Sequence, residues 1–245
     1  VATFKLIVEY DGSGYHGWQR QPDRPTIQAA LEAAILRLTA VETTVVGAGR
    51  TDAGVHALGQ VAHFASDADF TPAVWTRGLN ALLPTDIAVQ KAARVRETFH
   101  ARHGATGKIY RYAIYNHPVR APLSRRYAWH VFQPLDLGAM RKAARALAGR
   151  RDFRSFCAAD HEGDNFTVDL KSVVVTKNDA QLWLTFRADR FLKYMVRNLV
   201  GFLVEVGRGR RAPDEVAAVL AAQDRRRAGP TAPPHGLTLV RVFYS

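Results

Sequence analysis

One cysteine, Cys157, and two methionines are all the sulfur this sequence carries. A single thiol excludes an intrachain disulfide framework and a cysteine-based zinc cage. Long apolar runs are missing as well. The strongest candidate, Leu192 to Val206, is interrupted by Lys193, Arg197, Asn198 and Glu205, and it falls short of the ~18 residues of a membrane span. No GxxxxGK[ST], no GxGxxG after a strand, no HExxH and no Gly-x-Ser-x-Gly occurs, so the chemistry is expected to proceed without a cofactor. The nine histidines are dispersed, and His16, His56 and His63 make a poor metal set. The N-terminus opens directly into a strand-like pattern, which predicts no signal peptide. Together these absences predict a cytoplasmic enzyme or binding protein with no membrane partner.

Acidic residues are also in deficit, and unevenly so. The chain has 34 Lys and Arg against 22 Asp and Glu, a formal net charge of +12. Up to His103 there are ten of each sign, so the whole excess lies beyond it. Arginines cluster there at 150, 151 and 154, at 208, 210 and 211, and at 225 to 227. Guanidinium groups fork onto phosphate oxygens, and a basic face attracts a polyanion over about a Debye length. A nucleic-acid partner is expected over a merely solvated Arg-rich surface.

Periodicity supplies an element order. Phe4, Leu6, Val8 and Tyr10 alternate as in a strand. From Thr26, a candidate N-cap, Ile27, Leu31, Ile35 and Leu38 recur at helical spacing. Residues 43–48 and 60–65 read as strands, Pro72 opens a helix with Trp75, Leu79 and Leu82 on one face, and 87–95 is a further strand. The order is β-α-β-β-α-β, that of a ferredoxin-like unit. The second half repeats it. A strand at 108–115 precedes a helix capped by Asp136 and stopped at Gly149, then strands at 168–176 and 181–187. A long helix follows with Leu192, Met195, Leu199, Phe202 and Val206 as its stripe, then a shorter one from Pro213 and a last strand at 237–244. The expected fold is α+β, with two ferredoxin-like (RRM-like) halves, 1–103 and 104–245, and mainly antiparallel sheets meeting at a central catalytic cleft.

Three stretches carry candidate chemistry. In VVGAGRTDAGVHALGQVAHF, residues 45–64, a Gly-rich connection places Asp52 at the tip of a strand-loop-strand, with Arg50 close enough to help hold a carboxylate ionised. An ordinary turn aspartate is the plainer reading, but the loop is longer and richer in Gly than a hairpin requires. In GKIYRYAIYN, residues 107–116, basic and aromatic side chains interleave on one strand, a pattern that can stack an unpaired base beside phosphate-binding cations. In DRFLKYMVRNLVGFLVEVGRGR, residues 189–210, Lys193, Arg197 and Gly201 share a helical stripe. That stripe is either a solvated basic edge or one that aims Arg197 at a carboxylate or phosphate.

These segments closely resemble the tRNA pseudouridine synthase A family. The likeness extends to EYDGSGYHGWQRQ at 9–21, FHAR at 99–102, RDFRSF at 151–156, MVRNLVGFLVEVGRG at 195–209 and AGPTAPPHGLTLVRV at 228–242, and so covers essentially the whole chain. The resemblance implies a homodimer of two-domain subunits and cofactor-free conversion of uridine to pseudouridine in the anticodon arm of tRNA, at positions 38, 39 and 40. It carries the catalytic aspartate onto Asp52 and the substrate-base tyrosine onto Tyr110. It carries the arginine near the aspartate onto Arg197, and the one that assists nucleotide flipping onto Arg50. DHEGDNFT at 160–167, Cys157 and Arg190 depart from the family pattern. Two other classes were weighed. A non-catalytic protein with two RRM-like halves leaves Arg-Thr-Asp-Ala-Gly unexplained and lacks the RRM aromatic consensus. A glycoside hydrolase would need a second carboxylate acting as acid, and none is evident.

Overall fold

Regular structure follows the apolar periodicity closely. The computed structural model describes residues 1–161 and 163–245. In chain order the elements are β1 (Ala2–Tyr10), α1 (Ile27–Thr39), β2 (Val46–Gly47), β3 (His56–Ser66), α2 (Pro72–Leu82), β4 (Ile87–Val95) and β5 (Ala105–Asn116). There follow β6 (Trp129–Val131), α3 (Leu137–Leu147), β7 (Gly149–Asp152), β8 (Thr167–Asn178), β9 (Gln181–Ala188), α4 (Met195–Gly207), α5 (Glu215–Ala222) and β10 (Leu237–Tyr244). The class is α+β, with five α-helices among the described residues and mainly antiparallel pairing. None of the described helices is long and apolar enough to cross a membrane.

Two units form, Val1–Thr106 with Thr238–Ser245, and Gly107–Leu237. In the first, β1 lies between β3 and β4 and pairs antiparallel with both. The cap expected at Thr26 is made, with Oγ1 accepting from Ala29 N–H, and ahead of Pro72 the Thr71 Oγ1 accepts from Val74 N–H. Fully buried Trp75 on α2 packs edge-on against Phe64 at 4.9 Å and tilted against Phe4 at 5.3 Å. In the second unit β9 lies between β5 and β8, β7 continues the sheet beyond β8, and β6 pairs parallel with β5.

Several expectations need correction. The last strand has a partner that the sequence did not indicate: it begins parallel to β3, with Thr238 opposite His56 and Leu239 opposite Ala57, and Thr238–Ser245 group with the first unit. Alternation fixes a strand's faces but not its neighbour, so periodicity could not reveal this. The strand expected at 43–48 shrinks to two residues. Gly149 does not merely stop a helix. It opens β7 at φ +112°, a left-handed conformation that favours glycine. Leu192 precedes α4 rather than belonging to it, because Tyr194 takes φ +61° and starts the helix one residue later. Nor does α4 have a solvated basic edge: nearly all of its residues are buried, Gly201 included. A helix buried on nearly every side is an interior helix.

The FHAR stretch forms a turn that is read through histidines. The rings of His63 on β3 and His100 are tilted together with centroids 4.8 Å apart, and those of His100 and His103 are 4.2 Å apart. Ala101 N–H donates to His63 Nδ1, while Arg102 and His103 N–H donate to His100 Nδ1, each at 3.2 Å. Those lone pairs are available only in the neutral rings. Burial first, then the neighbouring positive partners, push both histidines below their ordinary 6.5. The unfolded chain therefore binds protons more readily than the fold, and stability is complete above about pH 6.5 and declines as pH falls from there towards the folded-state values. Thermal midpoints measured from pH 7.5 to 5.0 are expected to drop, and His63→Asn, whose amide oxygen can take the Ala101 N–H, is expected to flatten that dependence. An equal slope in the variant would remove His63 from the explanation.

Candidate active site

The loop carrying Asp52 has little regular pairing of its own, so its backbone must find partners elsewhere. It finds them in the segment after β1. Trp18 N–H donates to Thr51 O at 3.0 Å, and Gly54 N–H donates to Tyr15 O at 3.3 Å. Val55 N–H closes back onto Asp52 O at 3.1 Å, making the tight turn on which Asp52 sits half-buried. The approach is so close that two glycines are compulsory. A Cβ on Gly12 would lie 2.0 Å from Val55 O, and one on Gly17, at φ +89°, would lie 2.4 Å from Thr51 O.

Buried side chains hold the loop from behind. The Tyr10 hydroxyl meets Thr51 Oγ1 at 2.8 Å, and both residues are buried. Burial, opposed by hydrogen bonds from Thr51 and Gln60, pushes the Tyr10 phenol up to about 12, so it keeps its proton at neutral pH. Fully buried Gln60 donates from Nε2 to Gly49 O at 2.8 Å. Trp18 stacks its indole against Gly47, where a Cβ would come within 2.5 Å of the ring. His56, the first residue of β3, takes Gly12 N–H on Nδ1 at 3.0 Å, and the same nitrogen lies 3.1 Å from Asp11 Oδ1. The neutral ring accepts from Gly12, whereas a protonated one would donate to Asp11. Arg50 is exposed, with Nε donating to Gln19 Oε1 at 3.2 Å. Arg50 and Asp52 are thus on one loop, and the EYDGSGYHGWQRQ segment is its cradle.

Tyr110 and Arg197 belong to the second unit. Tyr110 on β5 is 7% exposed, stands opposite Phe186 of β9 and meets the Phe191 ring edge-on at 5.1 Å. Tyr112, two residues on, is a core residue whose hydroxyl donates to Pro233 O at 2.7 Å. Its phenol is pushed up by burial, with the Arg197 charge acting in the opposite direction. Arg197, in the first turn of α4, donates from Nε to Ala232 O at 2.8 Å, and its guanidinium lies 4.7 Å over the Tyr194 ring. Ala232 N–H returns a bond to Arg197 O at 3.0 Å.

This exchange belongs to a clamp between α4 and the 229–236 loop. A Cβ on Gly201 would lie 1.8 Å from Pro230 O, so the loop backbone rests directly on the helix. Asn198, fully buried, donates to Phe156 O and accepts from Arg225 at 2.9 Å and Thr231 at 2.7 Å. Arg225 also holds Gly229 O. Sequence reasoning gave no structural role to the Tyr10 hydroxyl, Gln60 or Asn198, and read Arg225 only as part of a basic cluster. The available signal was polar groups inside otherwise apolar stretches, which a buried element tolerates only when they are bonded. It also set His16, His56 and His63 aside as a poor metal set. His16 meets Arg24, His56 meets Gly12 and His63 meets Ala101, so the three serve separate places.

Comparisons with known proteins converge. The sequence model of a family described as tRNA pseudouridine synthase matches residues 6–103 and 143–245. A tRNA pseudouridine synthase A of Myxococcus xanthus is 50% identical, with the match covering all of this chain and 92% of that protein. Proteins of the same description from Moorella thermoacetica and Rhodospirillum rubrum are 49% and 48% identical, again over this whole chain and over 100% and 88% of theirs.

If the cradle sets the loop geometry, removing the Tyr10 hydroxyl disturbs the loop with no change in core volume. Tyr10→Phe should lower stability by about 1 kcal/mol in urea denaturation, the scale of one buried hydrogen bond. Thr51→Val in the Tyr10→Phe background should add little, since both remove the same bond. Additive losses would mean that the two side chains act separately.

Proposed function

The chain belongs to the tRNA pseudouridine synthase family, and we propose that it isomerises uridine to pseudouridine at positions 38, 39 and 40 of the tRNA anticodon arm. The observation that carries this reading is the family match across both units, joined to a carboxylate mounted on a loop whose backbone packs against the Gly12–Trp18 segment.

The reaction breaks the N1–C1′ bond, turns the uracil and joins C5 to C1′. N1 gains a proton and C5 loses one, so atoms balance without redox or phosphate energy. In our reading Asp52 acts in one of two ways. It attacks C1′ to form a glycosyl ester, or it removes the 2′ proton on the way to a glycal. Either needs the carboxylate ionised, and Arg197 supplies positive charge to that end. The target base must leave its stack, at a cost of a few kcal/mol, which Tyr110 offsets by stacking and Arg50 by assisting extrusion. The second unit, with 23 Lys and Arg against 12 Asp and Glu, supplies salt-sensitive affinity for the phosphate backbone. We further propose that both units are ferredoxin-like, that the protein works as a homodimer, and that it acts in the cytoplasm.

Tritium release from tRNA carrying [5-³H]uridine tests the central assignment. Asp52→Asn should lose activity by on the order of a thousandfold or more while still binding tRNA. Undiminished release by that variant would remove Asp52 from the chemistry. No release by folded wild type on competent tRNA would favour a non-catalytic RNA-binding protein instead.

A further inference from the structure

We propose that a hollow in the second unit, walled by Tyr115, His130, Arg120 and Arg125, binds an unpaired nucleotide of the RNA substrate other than the reacting uridine. The inference rests on the RNA-modifying function above and adds a contact that the catalytic residues do not provide.

The hollow measures about 380 Å³, room for a base and part of its sugar, and its floor is apolar, with Pro122 and Ala128 contributing. One wall is aromatic. Tyr115 lies 5.6 Å from the His117 ring and 5.8 Å from the His130 ring, tilted to both. His130 Nε2 donates to His117 O at 2.7 Å, so in the neutral ring Nδ1 keeps a lone pair that can accept from a base N–H or a 2′-hydroxyl. The wall is rigid, because Asn116 Nδ2 donates to both Val131 O and Gln133 O and ties β6 to the end of β5. The other wall carries Arg120 and Arg125, both exposed. Arg125 spends one N–H on Pro122 O at 3.1 Å, which orients the fork. A flat apolar surface beside guanidinium groups is the arrangement that holds a base by its face and its phosphate by charge.

Charge selects the occupant. Among the described residues no carboxylate lines the hollow, and the sequence has no Asp or Glu between Glu97 and Asp136. The rim adds exposed Val119, Leu123 and Tyr127, which a protein partner could also cover. A second copy of this chain, however, would bring another +12 and its own Arg120 and Arg125 to the contact. Charged residues are depleted from the cores of protein interfaces, whereas RNA brings the opposite sign. Tyr110 and Tyr115 stand five residues apart on β5, about 16 Å along the strand and on opposite faces of the sheet, too far for one nucleotide to reach both. The hollow therefore takes a different nucleotide from the one Tyr110 serves.

The test compares wild type, Arg120→Ala/Arg125→Ala, Tyr115→Ala and Tyr115→Phe in tRNA binding across a salt series, in steady-state turnover and in sedimentation. The arginine double variant should raise Kd and KM tenfold or more, hold kcat, and reduce the salt slope by roughly 1 to 2. Tyr115→Ala should raise KM and Tyr115→Phe restore it, since the ring alone stacks. Arg37→Ala/Arg94→Ala, which removes two exposed charges from the first unit, should leave KM within about twofold. Wild-type turnover with unchanged Kd and KM in the hollow variants would overturn this proposal and leave the functional reading intact. So would an equal loss in the control pair, or a fall in molecular mass with unchanged affinity per chain, which would make the hollow a protein contact. Failure of wild type to bind tRNA at all would overturn both.

Discussion

An irregular loop can present a side chain with precision only if its backbone polar groups are satisfied and its alternative conformations are closed off. In the first unit one approach achieves both: the backbone of Gly12 to Trp18 lies against the backbone of Thr51 to Val55. At Gly12 and Gly17 the contact leaves no volume for a methyl group. Much else answers to this contact. Tyr10, at the end of β1, reaches Thr51 because the strand delivers it there, and His56 caps the glycine turn from the start of β3. Trp18 is buried against Gly47, and the chain enters α1 beside it, where Gln28 N–H donates to Trp18 O.

The second unit solves a similar problem with different parts. Its 229–236 loop lies on α4, where Gly201 admits the Pro230 carbonyl and Ala232 exchanges bonds with Arg197. Asn198 gathers Arg225 and Thr231 at one buried oxygen. A half-satisfied network in such a place would cost more than an apolar one, whereas a satisfied one specifies a single arrangement. Arg197 is therefore held at its Nε while its guanidinium keeps its place over Tyr194. In both units the backbone around the candidate residue is fixed by contacts within that unit. Electrostatic catalysis depends on such preorganisation, because charges held in advance need not reorganise as the reaction proceeds.

The single thiol illustrates how burial decides chemistry. Cys157 is 2% exposed, and burial pushes it up to about 11. It is a protonated core group at neutral pH, filling space beside the Phe156 turn without nucleophilic character.

How much of this was legible follows from the range of each interaction. Local rules sufficed for the helices capped by Thr26 and Asp136, where the capping side chain and its N–H lie three residues apart. They sufficed too for strands whose alternation has period two, and for the charge asymmetry, which is a count. Arg50, Asp52, Tyr110 and Arg197 stood out through a resemblance carried by contiguous motifs. What sequence alone could not decide lies at long separation. Tyr10 meets Thr51 across 41 residues and Arg225 meets Asn198 across 27. The final strand returns to lie parallel to β3, which it meets only after the whole of the intervening chain. Periodicity says which face of an element is apolar, but many partners can cover an apolar face. Only tertiary packing, by excluding volume at Gly12, Gly17 and Gly201, selects the one that does.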